Sequence, residues 1–209
     1  MKKGFMLVCD GSNGAGKTTV IKKIESYLKS KGFDVVLTRE PGGTPIGEKI
    51  REVILDPSTP EMIDITELML FGAARAQHIQ EKIIPALNEG KVVISDRFDA
   101  ATISFQHYAR GIDINIINKI NNLALNGFSV DMNIILDLDP AIGLERVKER
   151  GEGLDRMEDE KLEFLAKARH GYLQQAIDCP EKFSVIDASQ TKEKVTHDVI
   201  NVLEQLVEQ

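Results

Sequence analysis

The sequence predicts an α/β fold in which a five-stranded parallel sheet is flanked by helices on both faces. Two observations lead to this prediction. Short apolar runs typical of strands alternate along the chain with longer segments whose apolar residues recur at helical spacing. The first junction between a strand and a helix also carries a glycine-rich loop of the kind that binds phosphate. The 209 residues suit a single domain, 1–209, with a sizeable core.

The glycine-rich loop at 11–18 reads G-x-x-x-x-G-K-[ST] and joins an apolar run at 5–9 to a predicted helix at 19–28. Its glycines let backbone N–H groups approach phosphate oxygens closely, and the helix N-terminus adds partial positive charge. In such a loop Lys17 reaches the outer phosphates of a nucleotide, and the Thr18 hydroxyl can hold Mg²⁺. The predicted nucleotide-binding residues are Gly11, Ser12, Asn13, Gly14, Ala15, Gly16, Lys17, Thr18 and Thr19.

The next unit places a polar loop at the end of a strand. Apolar residues predict a second strand at 33–37, and the sharply turned segment 38–44, which contains Glu40, follows it. Ligands of open parallel sheets bind beyond the carboxyl ends of the strands, so we expect this loop to line a site. A short helix carrying Arg51 is predicted at 46–55.

A long helix is predicted at 65–87, with a kink near Pro85 because proline has no backbone N–H to donate. Phe71 and Arg75 lie one turn apart on one face of this helix. A ring beside a guanidinium is suited to holding a planar base. Core packing of Phe71 and solvation of Arg75 are the simpler interpretations of each residue alone.

A third strand is predicted at 91–95, and Asp96 and Arg97 follow it directly. A carboxylate at the end of a strand in such a protein is well placed to orient Mg²⁺ or its waters. An arginine there can clamp a phosphate through two parallel hydrogen bonds. An Asp–Arg ion pair without a ligand is the alternative interpretation.

The rest of the chain completes the alternation of helices and strands. Further helices are predicted at 99–108, 113–126, 140–147, 162–177 and 195–207, and further strands at 134–138 and 183–186. Asp113 and Pro140 are residue types common at helix starts. The run 134–138 is almost wholly apolar, as in a strand buried on both faces. Three side chains of the helix 99–108 are expected to point inward: Thr102, Phe105 and Gln106.

A charged, glycine-containing segment at approximately 146–159 carries Arg146, Arg150 and Arg156. As a bare pattern it is typical of a solvated loop. Beside a phosphate-binding loop it is a candidate helical lid that delivers arginines to the transferring phosphate. The glycine-rich loop contains Lys17 but no arginine, and Asn13 occupies its variable position. We therefore expect the additional cation to come from the lid.

Composition excludes some classes of function. A net charge of −7 and the lack of a basic stripe with aromatics argue against a nucleic-acid-binding module. No apolar run approaches the ~20 residues of a membrane span, and no signal-peptide pattern is present, so we expect a cytoplasmic protein without a membrane partner. Cys9 and Cys179 match no metal-binding spacing and are expected to be buried, reduced thiols.

Taken together, the motifs resemble bacterial thymidylate kinases along essentially the whole chain. Phosphate loops occur in many families, so the specific signal lies in a combination of shorter segments. These are T-R-E-P-G-G-T at 38–44, F-G-A-A-R at 71–75, D-R at 96–97, A-R-G-I-D at 109–113 and L-D-R at 154–156. The resemblance implies a P-loop nucleoside monophosphate kinase fold and transfer of the γ-phosphoryl of ATP to dTMP, giving dTDP and ADP for dTTP biosynthesis. It also implies Mg²⁺ as cofactor and a homodimer.

The resemblance further implies individual roles. Thr18 and Asp96 would hold or organise Mg²⁺, Phe71 would stack on thymine, and Phe105 would crowd the sugar C2′. Arg75 and Gln106 would hydrogen-bond the edge of the base, while Arg51 and Arg97 would hold the acceptor phosphate and Glu40 would lie near it. The residues implied in catalysis are Lys17, Asp96, Arg97, Arg150 and Arg156. Those implied in binding dTMP are Glu40, Arg51, Phe71, Arg75, Arg97, Thr102, Phe105 and Gln106.

Several positions depart from the family pattern. Asn13 stands where bacterial relatives often have a carboxylate, Phe98 and Phe105 stand where a tyrosine is common, and Ala101 stands near a usual serine. The changes at 101 and 105 leave open a kinase for another, or for several, deoxynucleoside monophosphates. Asn13 leaves open a nucleotide-binding paralogue with weak catalysis.

Overall fold

The structure, a computed structural model in which residues 4–149, 155–158 and 160–207 are described, contains a five-stranded parallel sheet flanked by helices. The strand order is β2-β3-β1-β4-β5, and every pairing is parallel. The predicted fold class is confirmed. The strands are β1 Met6–Gly11, β2 Val35–Arg39, β3 Val92–Asp96, β4 Met132–Asp137 and β5 Phe183–Asp187.

The central strand β1 separates two apolar layers because successive side chains of a strand point to opposite faces. Leu7 and Cys9 belong to a core cluster that includes Ile24 and Leu28 of the first helix. The alternate residues of β1 face a second cluster on the other side of the sheet. The parallel pairing of β1 with β3 sets Cys9 opposite Asp96, so the carboxyl ends of these two strands lie at the same edge of the sheet. The loop after β1 and the loop after β3 therefore lie side by side.

Helices cover the sheet close to their predicted positions. They are α1 Lys17–Ser30, α2 Pro45–Leu55, α3 Asp64–His78, α4 Ile84–Asn88, α5 Asp99–Thr102, α6 Ile114–Leu125, α7 Pro140–Lys148, α8 Leu162–Asp178 and α9 Lys192–Val207. Side-chain caps explain three of these starts, because Thr44, Asp113 and Asp139 each accept a hydrogen bond from a backbone N–H of the following turn. No helix within the described ranges has the length and apolarity needed to cross a membrane.

Two predicted helices contain π-helical turns. Ile79–Ile83 separates α3 from α4, so the disturbance expected near Pro85 takes the form of a wider turn immediately before it. A second π-helical turn, Ile103–Ala109, follows α5. Hydrophobic periodicity alone does not distinguish a π turn from an α turn, and such turns are frequent at functional sites.

One expectation about the cysteines is wrong. Cys9 is buried in the centre of the sheet, whereas Cys179 is exposed. Cys179 is the C-terminal capping residue of α8 and follows the last buried residue of that helix, Tyr172, by seven positions.

Candidate active site

A cleft of ≈ 640 Å³ opens at the carboxyl ends of β1, β2 and β3. Most of the predicted site residues line this cleft. One end is rich in phosphate-binding groups, and the other end has an aromatic wall. Predicted residues along the cleft are Asn13, Gly14, Gly16, Lys17, Thr18, Thr19, Glu40, Arg51, Phe71, Arg75, Asp96, Arg97, Thr102, Phe105 and Gln106. Arg39 joins them without having been predicted. Arg150 lies outside the described residues.

The glycine-rich loop has the conformation that phosphate binding requires. Gly14 and Gly16 have φ values of 74° and 94°, in the left-handed region that favours glycine. Gly16 is the N-terminal capping residue of α1 and offers no side-chain cap, so the backbone N–H groups of Lys17 and Thr18 remain available to an anion. These features agree with the binding role expected of the loop.

Sequence reasoning missed a glycine that supports this loop. A Cβ atom at Gly14 would lie 2.2 Å from the carbonyl oxygen of Gly143, and one at Gly143 would lie 2.1 Å from that of Asn13. The loop and α7 therefore touch backbone to backbone. The available signal was a glycine in the middle of the predicted helix 140–147, where alanine is about 1 kcal/mol more favourable.

Lys17 lies at the phosphate end of the cleft. Its ammonium donates hydrogen bonds to the carbonyl oxygens of Gly11, at 3.4 Å, and Ser12, at 3.1 Å. Burial lowers the pKa of Lys17 to about 8, and repulsion from Arg97 acts in the same direction. The ammonium is thus poorly compensated by the protein and well suited to pair with a phosphate.

Arg97 is held by a buried network rather than by the neighbouring Asp96. Its Nη1 donates to Asp10 Oδ1 at 2.7 Å and to the Tyr172 hydroxyl at 2.8 Å, and its Nη2 donates to Asn13 Oδ1. Arg97 has a φ of 69°, which is uncommon for a residue with a side chain. Because residues strained in this way cluster at ligand clamps and active sites, the conformation suits a phosphate-binding role.

Asp10 and Tyr172 are therefore residues of the site that sequence reasoning missed. Asp10 is 0% exposed, and its Oδ1 also accepts hydrogen bonds from the Tyr172 hydroxyl at 2.6 Å and from the Gly11 N–H at 2.8 Å. Burial raises the pKa of Asp10, and attraction to Arg97 opposes that rise. The signal for Asp10 was a carboxylate inside an apolar strand. Tyr172, on α8, carried no local signal.

Arg75 lies on the inner wall of the cleft in an almost fully buried network. Its Nε donates to Glu40 Oε2 at 2.9 Å, its Nη1 to Asn121 Oδ1 at 2.8 Å and its Nη2 to Thr102 Oγ1 at 3.0 Å. The other oxygen of Glu40 pairs with His78 Nδ1 at 3.0 Å. The simpler interpretation of Arg75 as a solvated charge is wrong. Glu40 fixes Arg75 in position and also lines the cleft.

Gln106 and Arg156 meet at a third buried carboxylate, Glu67. Gln106 Nε2 donates to Glu67 Oε1 at 2.9 Å, and Arg156 Nη2 donates to Glu67 Oε2. Arg156 also donates to the Ile54 carbonyl oxygen at 2.8 Å, so its guanidinium faces α2 and α3. Arg146 lies closer to the glycine-rich loop and donates to the Gly14 carbonyl oxygen at 3.4 Å.

Comparison with known proteins agrees with this geometry. The family model described as thymidylate kinase matches residues 9–199. A thymidylate kinase of Geobacillus sp. (strain WCH70) is 47% identical over 92% of this chain and 92% of its own length. A thymidylate kinase of Pelotomaculum thermopropionicum is 43% identical over 99% of this chain and 95% of its own length. The crystal structure of thymidylate kinase from Ehrlichia chaffeensis aligns with a TM-score of 0.78 and 31% identity, covering 97% of this chain and 99% of the other. The chain therefore belongs to the thymidylate kinase family.

Proposed function

We propose that this protein transfers the γ-phosphoryl group of ATP to dTMP, giving dTDP and ADP for dTTP biosynthesis. The observation that carries the proposal is one continuous cleft with Lys17 and the glycine-rich loop at one end and Phe71 with Arg75 at the other. Membership of the thymidylate kinase family supports the same reaction and the same pair of substrates. The alternatives of a different acceptor or of weak catalysis have no support in the comparisons.

At the ATP end, residues 11–19 would hold the phosphates through backbone N–H groups and the Lys17 ammonium. Thr18 and Asp96 both line this part of the cleft and supply oxygen donors, which fit Mg²⁺ held jointly with substrate phosphates. Among the described residues no cluster of three or more His, Cys, Asp or Glu side chains could hold a metal alone, which also favours a substrate-held ion. Bound Mg²⁺ would neutralise charge on the phosphate oxygens.

At the acceptor end, Arg97 and Arg51 would hold the 5′-phosphate of dTMP. Arg51 donates to the Pro41 carbonyl oxygen at 2.9 Å, and burial lowers its pKa, with Arg39 adding repulsion. A phosphate bound there relieves this repulsion among arginines. Phe71 would stack on the base, Arg75 and Gln106 would bind its edge, and Thr102 and Phe105 would contact the sugar side.

The reaction needs no covalent intermediate, because the acceptor phosphate is itself a nucleophilic anion. The described side chains would position the two phosphates in line and neutralise charge as the phosphoryl group moves. Residues 146–159 would form a lid that brings Arg150 and Arg156 to the transferring group. Arg156 would have to leave Glu67 to do so, which makes lid closure compete with that ion pair.

A coupled ADP-release assay with Mg-ATP tests the function, with dTMP, dUMP, dCMP and dGMP offered separately. Strong turnover with dTMP and weaker turnover with dUMP are expected. Lys17→Ala and Arg97→Ala should each lower turnover by orders of magnitude with folded-state spectra retained, whereas Lys22→Ala, at an exposed position of α1, should not. Turnover with another monophosphate would change the acceptor, and ATP binding without any turnover would identify a non-catalytic paralogue.

We also infer a homodimer formed through the outer faces of α2, α3 and α6. Large apolar side chains are exposed there, with Val53 50%, Met69 60% and Leu123 82% accessible. Apolar surface of this kind marks protein interfaces. A cytoplasmic location and a single domain over 1–209 are proposed on family membership.

A further inference from the structure

The side-chain amide of Gln106 has a defined orientation in the cleft wall. Its nitrogen lies 2.9 Å from Glu67 Oε1, and Glu67 is 1% exposed. An ionised carboxylate only accepts hydrogen bonds, so the NH₂ group of the amide must face Glu67. The amide oxygen is then the group of Gln106 that remains for a ligand, and within the described part of the chain it accepts no hydrogen bond.

Glu67 is kept ionised by its other partners. Arg110 donates to Glu67 Oε1 at 3.2 Å and to Oε2 at 3.1 Å, and Arg156 donates to Oε2. Burial raises the pKa of Glu67, but hydrogen bonds from Arg110, Gln106 and Arg156 outweigh that effect and leave the pKa below its ordinary value. The carboxylate therefore stays an acceptor throughout the neutral range.

Arg75 supplies the opposite hydrogen-bonding character on the same wall. A guanidinium has five N–H donors and no acceptor, and three of them are used by Glu40, Asn121 and Thr102. The remaining N–H groups can only donate. The wall thus combines a fixed donor, Arg75, with an amide whose oxygen faces outward as an acceptor, and both residues line the cleft.

We propose that Glu67 is a positioning residue that determines pyrimidine selectivity by holding Gln106 as a hydrogen-bond acceptor. Thymine and uracil present an acceptor at O4 and a donor at N3–H, which complement Arg75 and Gln106. Cytosine presents a donor at N4 and an acceptor at N3. Its donor would therefore meet the donor Arg75, and its acceptor would meet the amide oxygen of Gln106. The inference rests on the proposed kinase function and adds the residue that sets its base preference.

The test is Glu67→Gln, which replaces the obligate acceptor with an amide that can also donate. The side-chain amide of Gln106 can then flip, so that its NH₂ group faces the ligand. The ratio of kcat/KM for dTMP to that for dCMP should fall at least about 10-fold, which is the effect of one unmatched buried hydrogen bond. The ratio of dTMP to dUMP is an internal control, because these bases differ only at the C5 methyl. It should stay within about twofold of its wild-type value.

Arg110→Lys is the matched control for structural damage. It disturbs the two hydrogen bonds that Arg110 donates to Glu67 but keeps a positive charge beside the carboxylate, which therefore stays ionised and faces Gln106. Total activity can fall in this variant while the dTMP-to-dCMP ratio is kept. The proposal is overturned if Glu67→Gln keeps the wild-type ratio, or if Arg110→Lys lowers the ratio equally.

A measurement on the unmodified protein keeps the proposal open to refutation if Glu67→Gln does not fold. Calorimetric titration should give at least about 10-fold weaker binding of N3-methyl-dTMP and of dCMP than of dTMP, since neither offers a donor at N3. Equal binding of the three would refute the inference. Absence of dTMP turnover in the unmodified protein would instead refute the kinase function.

Discussion

The hydroxyl of Tyr172 provides a sharp test of how Arg97 is held. Replacing Tyr172 with phenylalanine removes a group that donates to Asp10 at 2.6 Å and accepts from Arg97 at 2.8 Å. The ring keeps its edge-on contact with Phe105, whose centroid lies 6.2 Å away, so the substitution removes polar contacts with little loss of packing.

The magnitude follows from burial and charge. Tyr172 is 2% exposed and Asp10 is 0% exposed, so water does not readily replace the lost hydroxyl. A hydrogen bond to a buried charged group contributes about 1.5–3 kcal/mol. We expect Tyr172→Phe to lower the free energy of unfolding by about that amount. Because the guanidinium of Arg97 also loses a partner that holds it in position, kcat/KM for dTMP should fall about 10- to 100-fold.

Urea denaturation and steady-state kinetics at saturating ATP measure the two effects separately. Tyr108→Phe is the control, since that hydroxyl belongs to a tyrosine that packs on His107 and His170, away from Arg97. Wild-type kcat/KM together with lowered stability would reduce Tyr172 to a structural role. Wild-type values for both would refute the account of how Arg97 is positioned.

The remaining predictions concern ionisation and assembly. Because burial lowers the pKa of Lys17 to about 8 and bound phosphate favours the charged form, ATP affinity should weaken as pH rises above about 8, by up to about tenfold per unit. Titration of ATP binding from pH 7 to about 9.5 measures this loss of affinity. Lys17→Arg should remove the pH dependence of ATP affinity because arginine stays charged. The same pH dependence in that variant would assign the titration to another group. Leu123→Glu should convert the proposed dimer to a monomer in sedimentation velocity, whereas Ile177→Glu, which alters an apolar residue 71% exposed on α8, should not. A dimer that survives Leu123→Glu would place the interface elsewhere.

Hydrophobic periodicity was sufficient to predict the sheet and to place the ends of most elements within a few residues of those observed. The alternation of strand-like and helical segments is a local property, and each strand buried in this sheet is apolar almost throughout. The cleft was also predictable, because Glu40 follows β2, Asp96 ends β3, and the carboxyl ends of these two strands meet at one edge of the sheet. The π-helical turns were not predictable from the sequence, since they keep a helical pattern of apolar residues while the helix itself becomes wider.

The supporting residues were beyond sequence reasoning for a physical reason. Tyr172 lies 162 positions from its partner Asp10, and Gln106 lies 39 from Glu67. Nothing local in either segment reports such a contact. Phe71, Arg75 and Arg97 could be found because a motif places them beside a strand end or on one helix face, whereas their partners arrive only through packing of distant helices.

Three ligand-facing side chains of this cleft are held in the same way. Arg97, Arg75 and Gln106 are each bound by a buried carboxylate: Asp10, Glu40 and Glu67, respectively. A buried carboxylate that loses its partner carries a large desolvation penalty, so each acid strongly disfavours conformations in which its partner turns away. Binding energy from ATP and dTMP is then not consumed in ordering these side chains, which are aligned before substrate arrives. Substituting the acids should therefore lower activity even though none of them needs to touch the transferred phosphoryl group.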